Sequence, residues 1–181
     1  MKYENKMILP NGKELILRNA TKEDSKVMLD VYNKTHEETD YLLAYSDEST
    51  LTLEDEANFL DGMVKSENAI ELFAIVDGEV VGCAGIDACG NKYKVSHRAD
   101  FGISILKDYW GLGIGSRLTE ACIECARVAG YEQIELQVVA DNERAIKTYN
   151  KLGFVEFGRN PKGFKSRYAG YQELISMRLE L

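Results

Sequence analysis

A mixed, twisted α/β sheet with helices on both faces is the fold class this chain predicts. Three observations carry it. Strand-patterned and helix-patterned segments alternate along nearly the whole length, in the order β-α-α-β-β-β-α-β-α-β-β. The apolar runs Glu71 to Val76 and Glu79 to Ile86 are joined by Asp77-Gly78, the strongest short hairpin signal, so part of the sheet is antiparallel. A long strand-like run then leads through Gly111, Gly113 and Gly115 into an amphipathic helix.

The elements follow in order. Leu15 to Arg18 forms a short first strand after the Asn11-Gly12 turn. Thr21-Lys22-Glu23-Asp24 is a capping box that opens a helix toward Asn33, and Thr52-Leu53-Glu54-Asp55 is a second one opening a helix toward Lys65. The hairpin supplies strands two and three. Lys94 to Leu106 reads as a long fourth strand, with Gly102 inside it marking a bulge or a close backbone approach. In the helix after the glycines, Leu118, Ala121, Cys122, Cys125, Ala126 and Ala129 line one face, and Gly130 stops it. Ile134 to Val139 is the fifth strand. Asp141 or Asn142 caps a short helix carrying Ala145, Ile146, Tyr149 and Leu152, which Gly153 closes. Phe154 to Phe157 and Gln172 to Leu179 complete the sheet.

With 181 residues, 45% apolar, two prolines and no low-complexity linker, residues 1–181 read as one domain with a substantial core. No run approaches a membrane span, and Met1 to Lys6 lacks the apolar core of a secretion signal, so a cytoplasmic protein without membrane contact is expected. The segment 37 to 56 holds Glu37, Glu38, Asp40, Asp47, Glu48, Glu54, Asp55 and Glu56 without a Lys or Arg, and so accounts for the whole net charge of −8. Such a patch repels nucleic acid and attracts cations; it also fits a solvated loop with acids at a helix N-terminus. Cys122 and Cys125 have metal-like spacing but lie on the apolar helix stripe, and no His pair accompanies them. Buried free thiols are expected, with no metal.

Three alternate glycines form a loop to which a ligand can approach closely, and the free N–H groups of the following helix favour anions. The loop therefore reads as a pyrophosphate cradle. A triphosphate-binding loop needs a Lys before Ser116, and none is there. A dinucleotide fingerprint needs G-x-G-x-x-G entered directly from a strand. Here the spacing is G-x-G-x-G, and Lys107 to Trp110 intervene. Glu135 lies near the distance of a ribose acid, so the dinucleotide reading stays open as the lesser one.

The third design is the coenzyme A loop, and here the chain resembles the GNAT superfamily of acetyl-CoA-dependent N-acetyltransferases. Gly113 and Gly115 occupy the fixed positions of that family's Gln/Arg-x-x-Gly-x-Gly/Ala loop, with Trp110 where Gln or Arg is usual. Downstream, Asn142, Ala145, Tyr149, Gly153 and Phe154 match the passage N-x-x-A-x-x-x-Y-x-x-x-G-F. The resemblance implies a mostly antiparallel sheet splayed between the fourth and fifth strands, with acetyl-CoA in the cleft as co-substrate. It implies that Gly111, Leu112, Gly113, Ile114, Gly115 and Ser116 cradle the pyrophosphate. It places the acetyl-pantetheine arm along Ile103, Ser104 and Ile105, with Asn142 on its amides.

Acetyl transfer to an amine requires that the amine lose a proton, the oxyanion be stabilised and the thiolate be protonated or tolerated. The resemblance assigns Tyr149 to the thioester sulfur, where a phenol stays protonated at neutral pH; an amphipathic-helix tyrosine packing its ring is the plain alternative. On the resemblance, a free backbone N–H along Ile103 to Ile105 would bind the carbonyl oxygen, with an irregularity at Gly102 to free it; a mere bulge is the plain alternative. Gln137 stands where one branch of the family carries a glutamate base, and Gln cannot accept a proton. Asp100 matches an acidic position of other members and is the leading candidate base, with Glu173 and His97 behind it.

The acceptor is expected between the first helices and the last strands, beside the acidic segment. It would be the primary amine of a small cationic molecule or a protein N-terminus. A homodimer is compatible with this reading. A catalytically silent acyl-CoA-binding module is the alternative.

Overall fold

The computed structural model describes residues 1–181. Eight strands form one sheet in the order β1-β2-β3-β4-β5-β6-β8-β7. They are β1 (Glu4–Ile8), β2 (Glu14–Asn19), β3 (Ile70–Val76), β4 (Glu79–Ala88), β5 (Arg98–Ile105), β6 (Gln133–Val139), β7 (Val155–Ser166) and β8 (Gly170–Glu180). Four α-helices accompany them: α1 (Ser25–Glu38), α2 (Leu53–Lys65), α3 (Ile114–Val128) and α4 (Glu143–Lys151). None is long and apolar enough to cross a membrane. Every neighbouring pair of strands is antiparallel except β5 and β6.

Local chemistry explains most elements. Thr52 accepts a hydrogen bond from Asp55 N–H (3.1 Å) and Asp55 accepts one from Thr52 N–H (3.0 Å), a reciprocal cap for α2. At Thr21 the same box first makes a 3-10 turn, and α1 follows and runs to Glu38, past the expected end near Asn33. Asp77 (φ +52°) and Gly78 (φ +85°) are both left-handed, as a two-residue hairpin turn with the twist of its strands requires.

Four expectations are corrected. β1 was not foreseen, because Glu4-Asn5-Lys6 is polar and the strand is an exposed edge; the strands expected fourth and fifth are therefore β5 and β6. β5 begins at Arg98, not Lys94: Val95 is the one aliphatic side chain among residues 92–97, and Val95 and Ser96 N–H turn back onto Lys92 O instead. β7 continues to Ser166 through Pro161, tolerated at an edge where the register shifts between Asn160 and Phe164. Gly102 pairs in unbroken register with Gly85, so it is no bulge; the bulge in this half lies between β3 and β4 at Ala74/Ile75.

The core has two sides. A cluster of 28 buried residues joins α3 and α4 to one sheet face, including Leu72, Ile86, Phe101, Leu118, Cys122, Tyr149 and Met177. On the other face Met28 of α1 and Leu60 of α2 pack with Phe73 and Cys83. Cys83, Cys122 and Cys125 are buried and Cys89 is half-buried, all free.

Candidate active site

The parallel seam positions the site. β5 pairs with β6 only over Arg98 to Asp100 against Gln133 to Glu135. β4 follows β5 to Ile105 and β8 follows β6 to Val139, so each half-sheet stays intact while the two diverge. A two-toothed ion pair closes the narrow end: Arg98 Nε and Nη2 donate to Glu135 Oε1 and Oε2 at 2.7 and 2.6 Å. The divergence leaves a cleft of about 1000 Å³.

Strand alternation fixes what the β5 wall offers. Leu106 N–H donates to Val81 O of β4, so Ile105 and Ile103 turn their N–H groups away from β4, toward the opening. The free N–H groups expected along Ile103 to Ile105 are those of Ile103 and Ile105, and the splay frees them, not an irregularity at Gly102. Ser104 instead presents its hydroxyl to Cys83 Sγ, 3.5 Å away on the α1 face.

The glycine loop lies at one mouth of the cleft. Gly111 (φ +82°) and Gly113 (φ +84°) are left-handed, and a Cβ at either would meet no atom within 4 Å, so the cradle is open. Gly113 is the N-cap of α3, whose first N–H groups have no partner within the helix. Of the predicted loop residues, Gly111, Gly113, Ile114, Gly115 and Ser116 line the cleft; Leu112 packs against the core. Trp110 holds the loop to β5 by donating from Nε1 to Ile105 O (2.7 Å). The Arg144 guanidinium of α4 lies 3.9 Å from the Trp110 ring centre. Arg144 lines the cleft and was missed in the sequence, because only the fold brings it from two residues past Asn142 to the glycine loop.

α4 faces the cleft from the same side. Asn142 caps it, its Oδ1 accepting from Ala145 N–H (3.3 Å), and also lines the cleft. Tyr149 is buried; its ring meets Phe101 edge-on (6.2 Å, 87°) and Phe154 at a tilt (5.7 Å, 56°). Burial pushes its phenol well above the ordinary value, so the hydroxyl keeps its proton.

Among the candidate bases only Asp100 lines the cleft. It sits at the closed end with Cys89 and Glu135, whose ligand atoms lie within 4.8 Å of one another, a cluster the sequence did not reveal. Burial, then the Asp100 carboxylate, pushes the Cys89 thiol up to about 12. Glu173 is held by Arg159 (3.0 Å), and His97 lies in the turn before β5. Gln137 lines the cleft.

Five of the eight acids in segment 37 to 56 are tied up within the protein. Asp40 accepts from Tyr45, Ser166 and Gln172; Asp47 and Glu48 pair with Arg167; Asp55 caps α2; Glu38 accepts from Lys107 N–H. None of these acids lines the cleft, whereas Tyr41, Leu42 and Leu43 of the same segment do.

Comparison with known proteins agrees with this geometry. The family model "Acetyltransferase (GNAT) family" matches residues 27–154. The chain is 40% identical over 93 residues to the L-amino acid N-acetyltransferase AaaT of Escherichia coli, covering 51% of this chain and 57% of that protein. It is 33% identical over 103 residues to an N-alpha-acetyltransferase of Sulfurisphaera tokodaii, covering 51% and 60%. The chain thus spans less than two thirds of either relative. An acetyltransferase of the GNAT family from Streptococcus pneumoniae superimposes with a TM-score of 0.88 at 31% identity, over 92% of this chain and 99% of that one. The structure of yncA from Salmonella typhimurium with acetyl-CoA shares the fold, with a TM-score of 0.81 at 18% identity over 92% and 94%. On the family match, over a sheet split at β5/β6 with a glycine loop at its mouth, the chain belongs to the GNAT acetyltransferase family.

Proposed function

We propose that this chain transfers an acetyl group from acetyl-CoA to a primary amine, borne by a small molecule or a protein N-terminus. The observation that carries the proposal is the splay between β5 and β6, with an open glycine cradle at its mouth and Tyr149 in its wall. Acetyl-CoA would supply the activated thioester. The fit is chemical: Gly111 to Ser116 offer close backbone approach and unpartnered N–H groups to a pyrophosphate, and Arg144 adds a cation beside them. Asn142 and the turned-out N–H groups of Ile103 and Ile105 suit the amides and carbonyl of an extended arm.

Each proton then has an owner. Asp100, directly or through water, takes the proton of the attacking amine. The N–H groups on β5 stabilise the developing oxyanion. Tyr149, kept neutral by burial, donates its hydroxyl proton to the departing thiolate sulfur. Four unbridged cysteines accord with a reducing, cytoplasmic setting.

The test pairs calorimetric titration with acetyl-CoA against thiol release over a panel of primary amines. Tight binding with amine-dependent release supports transfer. Binding without release to any amine assigns the silent acyl-CoA-binding module, and absence of binding removes acetyl-CoA altogether.

A further inference from the structure

The far end of the cleft lies on the α1 face of the sheet, opposite Tyr149, and its chemistry differs from the loop end. Gln172 of β8 donates to Asp40 O (3.1 Å), which seats the segment after α1 over β7 and β8. That segment contributes Tyr41, Leu42 and Leu43 to the lining; Phe157 and Phe164 come from β7 and Leu174 from β8. Leu174 shares its strand face with Gln172, since β8 alternates Ile175, Met177 and Leu179 toward the α3 core. Large apolar side chains here are not all packed away: Leu43 is 83% exposed and Phe157 50%. In a cleft, such surface awaits apolar cover.

Charge is as informative. Arg144 is the one cation in the whole lining, and it stands over Trp110 at the loop mouth. The carboxylates in the lining are Asp100 and Glu135, both at the closed end, and Arg98 occupies both oxygens of Glu135. Gln137 and Ser176, between them and the apolar patch, are uncharged. A polyamine's second ammonium would find no free carboxylate beside the patch. A free amino acid's carboxylate would find only Arg178, which lies over the Phe157 ring and is already paired with Glu180 (3.1 Å), and would lose hydration without an open partner.

We infer that the acceptor carries its amine next to a bulky aromatic or aliphatic side chain and bears no second charge, as does an amide-capped apolar amino acid or a peptide opening with one. This rests on the acetyl-transfer reading. The patch binds the side chain, and the uncharged rim passes the amine toward Asp100.

Thiol release from acetyl-CoA would be compared for phenylalanine amide, the C-terminally amidated peptide Phe-Gly-Gly-amide, free phenylalanine, glycine amide and spermidine. The expected result is a kcat/KM for phenylalanine amide or the peptide at least about tenfold above the other three. The ratio between amide and peptide separates the small-molecule source from the protein N-terminus. In Leu43→Ser and Phe157→Ser, both at exposed positions, the preference for phenylalanine amide over glycine amide should collapse. Spermidine or free phenylalanine turning over as well as the amide overturns the inference while leaving acetyl transfer intact. So does a preference unmoved by either substitution in folded protein. Release from none of the five, in protein shown to bind acetyl-CoA, overturns the transfer reading and the inference with it.

Discussion

Tyr149 is fixed by ring packing on Phe101 and Phe154, which leaves its hydroxyl as the part free to act. Tyr149→Phe should therefore keep the fold and acetyl-CoA affinity while lowering kcat and kcat/KM together, by about 10²-fold, the low end for a general acid because a thiolate already leaves fairly well. Steady-state kinetics beside a binding titration check this, and wild-type kcat would return Tyr149 to a packing role. Glu71 is a residue whose behaviour only burial explains. It lies in the middle of the sheet with its carboxyl over Gly85, where a Cβ would collide with Oε2. Desolvation first, with Glu56 adding to it and the Cys83 thiol opposing, raises it from 4.5 to about 7. Between those values the unfolded chain has released the proton that the folded chain still holds, so stability falls as pH rises through that window. Glu71→Gln lacks this titration and should gain about 3 kcal/mol on wild type between pH 4 and pH 8. Chemical denaturation at the two pH values measures it; parallel curves would mean that Glu71 is ionised and paired.

At the scale of elements, the glycine loop and the β5/β6 seam carry the cleft. At Gly113 there is room for a side chain but not the right backbone, because φ is +84°. Gly113→Val should cost about 1–2 kcal/mol of strain or shift the loop, and in either case lower acetyl-CoA affinity by more than about tenfold, equivalent to ~1.4 kcal/mol. Gly115 differs: its φ is ordinary and a Cβ would meet Ile105 Cδ1 at 3.5 Å, a normal contact. Gly115→Ala should then bind acetyl-CoA better than Gly113→Val does, and calorimetry of the two variants decides whether backbone conformation or side-chain room governs the loop. The seam has three residue pairs and one ion pair. Glu135→Ala removes the closing contact and leaves Arg98, one third exposed, without its partner. A loss of about 1–2 kcal/mol is expected, with thermal melting as the measure; an unchanged melting temperature would mean that backbone pairing alone closes the cleft.

Over the whole molecule, the net charge does not describe the cleft. Five acids of the segment that dominates the charge are spent on Arg167, on helix and turn caps and on the β7–β8 end, and the segment presents its apolar residues to the cleft. Long-range attraction of a cationic acceptor would make KM rise with salt. With Asp47 and Glu48 neutralised by Arg167 and none of the segment's acids in the cleft lining, KM for the best amine should change less than about twofold between 20 and 200 mM salt. A steep rise would restore the segment as a steering surface. The order of elements, both capping boxes, the Asp77-Gly78 hairpin and the glycine loop were legible in the sequence because each rests on neighbours within a few residues. Tyr149 and Asn142 were legible through a local spacing. β1 and most of β7 were not, because their polar residues become strands only through the hydrogen bonds of a partner strand. Nor was the source of the free N–H groups, which a glycine suggested and the divergence of two half-sheets supplies. The sequence by itself determined the local conformations and the residue types near the loop, since these follow from backbone preferences and periodicity. Only the tertiary structure decided which charges remain free, that Arg144 meets Trp110, and that the cleft's far end is apolar, since pairing and burial depend on segments more than a hundred residues apart, as Asp40 and Gln172 are.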